Sequence, residues 1–433
     1  MSDDTIASVV KDGLCTGCGT CIALCPEEAI ELTINKKKGI YIPKLNEEKC
    51  NKCGICYKVC PGHEVDFKGL NLEIFGKEPE DILIGNYLNC YIGHSTDYDI
   101  RYNSASGGLI TQLLIFALEE GIIDGALVTR MGEDSPLEPK PFIARTKEEV
   151  FEASKSKYCP VPANIALKEI LNSKEGEKFA VIGLPCHIHG IRKAEQISKK
   201  LKEKIVLHVG IICNHTPTFL ATEFLLKKLK IKKNDVKKLE YRGEGWPGGM
   251  KITTKNGNII FAHYFSSNYW GIVFNSFFFP IRCTLCNDKV CGLSDVSFAD
   301  AWVPELMKDN DAGISLIVSR NKLFEEFLNR ASLKGKIELK NVNKDVVLQS
   351  QSLGTIKKQL KARIRILKIF GKKIPLYHQD LLKSSFSDHL HVLPFYFRNC
   401  FLSKRYFWSL ISLYRFSIEN ASYYKSKILK SKK

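Results

Sequence analysis

Cys15, Cys18, Cys21 and Cys25 precede Pro26 in a C-x2-C-x2-C-x3-C-P run, and Cys50, Cys53, Cys56 and Cys60 repeat it before Pro61, 35 residues further on. Soft thiolates at this spacing bind 4Fe-4S cubes: three neighbouring sulfurs grip one cluster, and the fourth, displaced by a turn and a proline, belongs to the other. The spacing therefore assigns Cys15, Cys18, Cys21 and Cys60 to one cluster, and Cys50, Cys53, Cys56 and Cys25 to a second. Zinc sites pair two cysteines with two more distant ligands, and have no use for such a run twice over. Clusters of this kind carry single electrons, so the rest of the chain is expected to hold a group that uses them.

A further set of thiols stands later in the chain. Cys283, Cys286 and Cys291 form C-x2-C-x4-C beside Arg282, one ligand short of a cube. Cys186 follows a strand expected at residues 179–182 and Cys213 follows one at 205–212, at carboxyl ends where α/β folds place functional groups. Five thiols thus compete for four places. Cys90, Cys159 and Cys400 have no partner at ligand spacing and read as buried structural thiols. Ser106-Gly107-Gly108 opens a helix expected over residues 107–120; its glycines would let backbone amides approach an anion such as a flavin pyrophosphate, which the helix dipole also favours. The same triplet is an ordinary cap and turn. No G-x-G-x-x-G follows a strand, so a Rossmann dinucleotide site is not supported. His187, His189 and His215 adjoin the ligand candidates, as proton relays or as hydrogen-bond donors to sulfur.

The elements that must position these groups read as an α+β ferredoxin-like N-terminal module, an α/β core with an antiparallel insertion, and a helical basic tail. Residues 1–66 form the module, with apolar segments at 29–34 and 65–67, held largely by metal–thiolate bonds. Residues 67–89 connect it, with turns at Gly76, Pro79 and Gly85. The core spans 85–340: Leu109, Leu113, Phe116 and Ala117 share a helical face before a strand at 126–129, and a strand at 314–318 precedes a helix at 322–331. Asn256-Gly257 between 250–254 and 259–263 signals a hairpin. Residues 350–433 form a basic, aromatic-rich extension. From Lys357 onward there are 18 Lys/Arg against 3 Asp/Glu, so nearly all of the chain's net charge of +17 lies there. Leu360, Ile364 and Leu367 share a helical face, and Phe401, Trp408, Leu410 and Tyr414 sit among Lys404, Arg405 and Arg415. The extension reads as a solvated helical appendage packed on the core, ahead of a membrane-surface or acidic-partner element. The acidic start Met1-Ser2-Asp3-Asp4 has no leader pattern, and sixteen cysteines suit the reducing cytoplasm. The best apolar run, 270–281, contains Asn275 and Ser276 and is too short to span a bilayer.

Taken together, several blocks resemble the beta-subunit family of coenzyme F-420 hydrogenases and dehydrogenases, in which a ferredoxin module precedes an α/β domain holding FAD and one more 4Fe-4S cluster. They are Ser104-Ala105-Ser106-Gly107-Gly108, Ser156-Lys157-Tyr158 with 160–164, Gly183-Leu184-Pro185-Cys186-His187, Cys213, Arg242-Gly243 with Gly245-Trp246-Pro247-Gly248, and Arg282-Cys283 to Cys286 with Asp295 and Asp300-Ala301-Trp302. The resemblance implies a core cluster on Cys186, Cys213, Cys283 and Cys286, with Cys291 either the odd thiol or a substitute for Cys186. It implies FAD against Ser104, Ser106, Gly107, Gly108, Ser156, Lys157 and Tyr158, with Lys157 pairing a phosphate and Tyr158 stacking on a ring; read alone, those two are surface residues. It further implies an oxidoreductase that moves electrons between clusters and FAD and exchanges a hydride with coenzyme F-420 or a related partner, working with a redox protein or catalytic subunit. The family also includes reductases of other organic substrates. Flavin hydride transfer needs no acid or base from the chain, so no catalytic residue is named. A non-catalytic electron relay is the alternative from another class. Nucleic-acid binding by the basic tail finds no support in the cysteine spacing.

Overall fold

Buried β-branched runs alternating with amphipathic helices build one large mixed sheet, from whose edge the chemistry is hung. In the computed structural model, which describes residues 4–264, 266, 277–307 and 311–411, the cysteine runs flank a hairpin of β1 (Ile30–Asn35) and β2 (Ile40–Leu45), followed by a short β3 (Glu64–Val65). The large sheet uses β4 (Asn89–Ser95), β5 (Gly125–Met131), β6 (Pro139–Ala144), β7 (Phe179–Gly183) and β8 (Ile205–Ile211). A small antiparallel sheet of β9 (Val236–Glu240), β10 (Gly249–Thr254) and β11 (Ile259–His263) intervenes before β12 (Val296–Asp300), β13 (Ser315–Ser319) and β14 (Ile337–Val342) complete the large one. The order is β14-β4-β13-β12-β8-β7-β5-β6. β12, β8, β7 and β5 run parallel, while β6, β13, β4 and β14 join antiparallel. It follows that the carboxyl ends of β4, β12, β8, β7 and β5 and the start of β13 share one edge.

Helices cover the sheet as the apolar periodicity requires. Leu109, Leu113, Phe116 and Ala117 are buried in one cluster with Phe324, Phe327 and Leu328 of the Lys322–Leu333 helix. The first of these helices runs Leu109–Glu119 rather than from 107, because Gly108 sits at φ 77, a left-handed conformation that a helix interior excludes. The connector also differs from expectation. Residues Phe67–Phe75 form a helix capped by the Asp66 side chain, and bury Phe67 and Leu70. β2, β4, β6, β9, β12, β14 and a later β15 (Leu376–Tyr377) are additional to the strands expected from sequence. The hairpin around Asn256-Gly257 is present, with Met250 opposite Ala262.

The extension is built into the core. Its Leu353–Ile369 helix buries Leu360 and Leu367, and its Phe386–Phe397 helix buries Val392 and Tyr396 against Leu285. Between them β15 (Leu376–Tyr377) pairs in parallel with β3. Cys400, expected to be buried, is exposed. Tyr414, Arg415 and most of the apolar run 270–281 lie outside the described residues. Among the described residues no helix is long and apolar enough to cross a membrane.

Asn399 ties the extension to the segment leading into Cys283. Its Oδ1 accepts from the Phe279 amide and its Nδ2 donates to the Phe279 carbonyl, both at 2.9 Å and both buried. Asn399→Ala would strand two backbone groups away from water, and is expected to lower stability by about 2–4 kcal/mol, measured by denaturant unfolding of the reconstituted protein.

Candidate functional site

The two amino-terminal runs enclose two small cavities. Cys15, Cys18, Cys21 and Cys60 wall one; Cys25, Cys50, Cys53 and Cys56 wall the other. Backbone amides already point at the sulfurs. Gly17 donates to Cys15 Sγ at 3.4 Å, Lys52 to Cys50 Sγ at 3.4 Å, Ala29 to Cys25 Sγ at 3.3 Å and Gly62 to Cys60 Sγ at 3.3 Å. Such donors favour thiolate over thiol. Burial, followed by the nearby Cys18, pushes the Cys60 thiol up to about 11, so ionisation here calls for a cation among the sulfurs.

A third cavity of ≈ 70 Å³ lies between this module and the sheet edge. Cys186, Cys213, Cys283 and Cys286 line it, together with Cys15. Cys186 occupies the first turn of the Pro185–Glu195 helix after β7, and Cys213 follows β8, its amide donating to the Lys289 carbonyl at 2.9 Å. Cys283 sits in the Ile281–Thr284 turn. Burial raises the Cys186 thiol well above its ordinary value, and Cys18, Cys283, Cys213 and Cys286 add to the effect, so this thiol stands between the first run and the core set. Cys291 is elsewhere: fully buried at φ 57, with Sγ 3.9 Å from the Gly183 carbonyl, it does not line the cavity. Among the described residues no three His, Cys, Asp or Glu side chains converge on a point that could hold one metal ion. The thiols instead stand apart around cavities, the arrangement a polynuclear cube requires.

Charged side chains hold this loop. Asp288 accepts from the Val290 amide at 3.0 Å, the Gly292 amide at 2.8 Å and His189 Nε2 at 2.8 Å. Lys289 Nζ donates to the carbonyls of Asn214 and Cys283, joining the Cys213 loop to the Cys283 turn. Arg282 donates to the Gly62 and Pro61 carbonyls at 2.8 and 3.0 Å. Two of the histidines make bonds to groups other than sulfur. His187 accepts from the Leu184 amide and donates to the Val161 carbonyl, with burial pushing its pKa down to about 4, and His189 is spent on Asp288. Tyr377 of β15 also lines the cavity and donates to the Leu285 carbonyl at 2.7 Å.

The flavin candidates gather at the neighbouring strand ends. Ser106 Oγ donates to the Ile314 carbonyl at 2.9 Å, the Gly107 amide donates to Ser315 Oγ at 3.0 Å, and the Gly107 carbonyl accepts from the Ser95 amide. A Cβ on Gly107 would lie 2.6 Å from the Gly93 carbonyl oxygen and 2.7 Å from the Ser315 nitrogen, so glycine is required here by β4 and β13 themselves. Ser104 Oγ is spent on the Ile100 carbonyl. Lys157 Nζ donates to the carbonyls of Ala153, Ser154 and Lys155, an anchoring task in place of the expected phosphate contact. Tyr158, bonded by the Ser156 side chain, accepts from Arg242 Nη1 at 3.0 Å.

Arg242 is the group the sequence reading quoted without recognising. It is 1% exposed, pairs with Asp300 at 3.1 Å, and lies 4.4 Å from the Tyr264 ring centroid and 5.9 Å from that of Trp302. Its Nε and Nη2 are buried and have no hydrogen-bond partner among the described residues. Trp246 Nε1 donates to Asp300 at 3.2 Å, and a Cβ on Gly313 would touch both Trp246 and Ser106 at 2.9 Å. One cluster of packed groups thus joins the 104–108 loop, the 156–158 segment, the 242–248 loop and the end of β12. The only signal in sequence was an arginine beside a run of glycines and aromatics.

Cysteine-lined cavities at the carboxyl edge of an α/β sheet, behind a module of two cysteine runs, define an iron–sulfur oxidoreductase. The chain belongs to the coenzyme F-420 hydrogenase/dehydrogenase beta-subunit family: the model of the family's N-terminal part matches residues 90–168, that of its C-terminal part matches 176–345, and a 4Fe-4S dicluster model matches 14–63. Among relatives, the coenzyme F-420 hydrogenase subunit beta of Methanosarcina barkeri is 28% identical over 268 residues, covering 61% of this chain and 85% of the relative. The coenzyme F-420-dependent sulfite reductase of Methanocaldococcus jannaschii is 26% identical over 377 residues, 84% of this chain and 53% of the relative. In fold, the chain is similar to a chain of the F-420-reducing NiFe hydrogenase complex of Methanosarcina barkeri, with a TM-score of 0.52 at 24% identity, covering 69% of this chain and 98% of that one.

Asp288→Ala removes the acceptor for a buried amide, a partly buried amide and one imidazole. It is expected to cost about 3 kcal/mol or more in unfolding free energy, and to lower the iron retained per chain although every cysteine remains. Denaturant unfolding with parallel iron assay checks both.

Proposed function

We propose that this chain carries three 4Fe-4S clusters and one FAD, and exchanges a hydride with coenzyme F-420 or a related two-electron partner. In this reading residues 1–66 hold two clusters on the two sets of four thiols, 85–340 hold the flavin and the core cluster, and 350–433 brace the core. The observation that carries it is the cavity shared by Cys186, Cys213, Cys283, Cys286 and Cys15, set beside the group around Arg242 on adjacent strand ends. Neighbouring strands are about 5 Å apart, so β12, which ends in Asp300, adjoins β8, which leads to Cys213. When bound, FAD supplies the two-electron store that couples single-electron clusters to hydride chemistry.

The chain's own groups suit such a ligand. Arg242 keeps two N–H directions for an anionic or carbonyl edge, Asp300 fixes the guanidinium, and Tyr264 and Trp302 wall it from water. Ser106 to Gly108 lie beside Gly313 and Trp246, within the same cluster of groups. Relatives named as a hydrogenase subunit and a sulfite reductase, both for coenzyme F-420, favour that coenzyme and a larger complex with a catalytic partner subunit. Cytoplasmic placement fits thiolate ligands.

Anaerobic reconstitution with iron, sulfide and flavin assays tests the reading. About twelve irons per chain are expected. Cys186→Ser, Cys213→Ser and Cys283→Ser should each lose about four, whereas Cys291→Ser should lose none. Arg242→Gln should lose flavin and keep iron. Eight irons, unaltered by Cys283→Ser, would exclude the core cluster. Full iron without flavin would make the chain a one-electron relay.

A further inference from the structure

The Phe386–Phe397 helix is apolar on two sides, and among the described residues only one of them is covered. Val392, Tyr396, Asn399 and Leu402 face inward, with Tyr396 Oη 3.0 Å from Thr284 Oγ1. Phe386, Leu390, Leu393, Phe397 and Phe401 recur at steps of four, three, four and four along the outer side, and are 79, 53, 50, 57 and 50% exposed. That line is about 20 Å long. Ile369 and Phe370, at the end of the preceding helix, are 81 and 68% exposed. A helix that is apolar all round normally lies within a core or against lipid.

The border of this face is cationic. Lys404 Nζ stands 5.2 Å from the Phe401 ring centroid, and Lys404 and Lys372 both act on the Cys400 thiol next to it. Lys368, Lys372, Lys373 and Lys404 are exposed. The acidic group on the helix, Asp388, is taken up by Ser385 in the helix's own capping box. The face is an unbroken Phe/Leu line, whereas recognition of an acidic protein would put polar contacts among the apolar ones. Phe and Leu side chains on such a line sink to the acyl boundary while flanking lysines reach lipid phosphates.

We propose that the outer face of the Phe386–Phe397 helix docks on an anionic lipid surface. Through β15, paired with β3, and through His378 bonded to Glu64 at 2.8 Å, this would hold the amino-terminal cysteine module close to that surface. The proposal is independent of the flavin reading.

The test is co-sedimentation of the anaerobically reconstituted full chain with vesicles of phosphatidylcholine, alone or mixed with phosphatidylglycerol, at low and high salt. Binding is expected only to the mixed vesicles and should weaken with salt. Leu390→Asp with Leu393→Asp should weaken it by about tenfold or more while iron content stays unchanged. Lys372→Glu with Lys404→Glu should remove the preference for phosphatidylglycerol, and decides the matter if the leucine variant loses iron. No binding to mixed vesicles, or equal binding by the variants, would overturn the proposal. So would a dimer of the unmodified chain that the leucine variant dissociates, since a second copy would then be the occupant, or lipid-free capture by an acidic polypeptide with no vesicle binding.

Discussion

The buried guanidinium of Arg282 is the constraint on which the arrangement depends. It is 6% exposed, spans the carbonyls of Pro61 and Gly62 immediately after Cys60, and precedes Cys283 in the chain. Burying a cation costs several kcal/mol unless it is compensated. Here the two carbonyls and the Tyr377 ring at 5.7 Å compensate it. The amino-terminal module and the core are thereby locked at the point where their thiols meet, and Cys15 can share a cavity with Cys186, Cys213, Cys283 and Cys286.

The sheet supplies the rest of the positioning. Parallel β7 and β8 deliver Cys186 and Cys213 from the same edge, β12 delivers Asp300, and β4 and β13 clamp Gly107. The buried set of His208, Glu195, Asp295 and Arg192 pins the middle of β8 and the start of β12 to the Pro185–Glu195 helix. The extension then closes the cavity from outside, as Tyr377, Tyr396 and Asn399 each bond to the 279–285 segment.

What the sequence disclosed followed the range over which each signal acts. Cysteine spacing is local, so the grouping of the eight amino-terminal thiols was legible, and strand-end logic picked out Cys186 and Cys213. The family resemblance left Cys291 as either the odd thiol or a substitute for Cys186; its place outside the cavity was not legible, because it goes with a left-handed backbone and a contact to Gly183. The three carbonyls around the Lys157 ammonium were not legible, since nothing local reveals them. Gly107 was rightly marked as a close approach, but what approaches is the backbone of β4 and β13. β4 and β12 were missed because Gly93 and Ser297 interrupt their apolar runs, and β15 because two residues carry no periodicity.

The central claim is that a core cluster adjoins the cluster of the first cysteine run. Electron paramagnetic resonance of the fully reduced, reconstituted chain tests it most directly. Neighbouring paramagnetic clusters on either side of Cys15 and Cys186 should give spectra broadened and split by spin–spin interaction, and Cys283→Ser should simplify them to those of the amino-terminal module alone. Spectra that are a simple sum of independent clusters, or that Cys283→Ser leaves unchanged, would contradict the account.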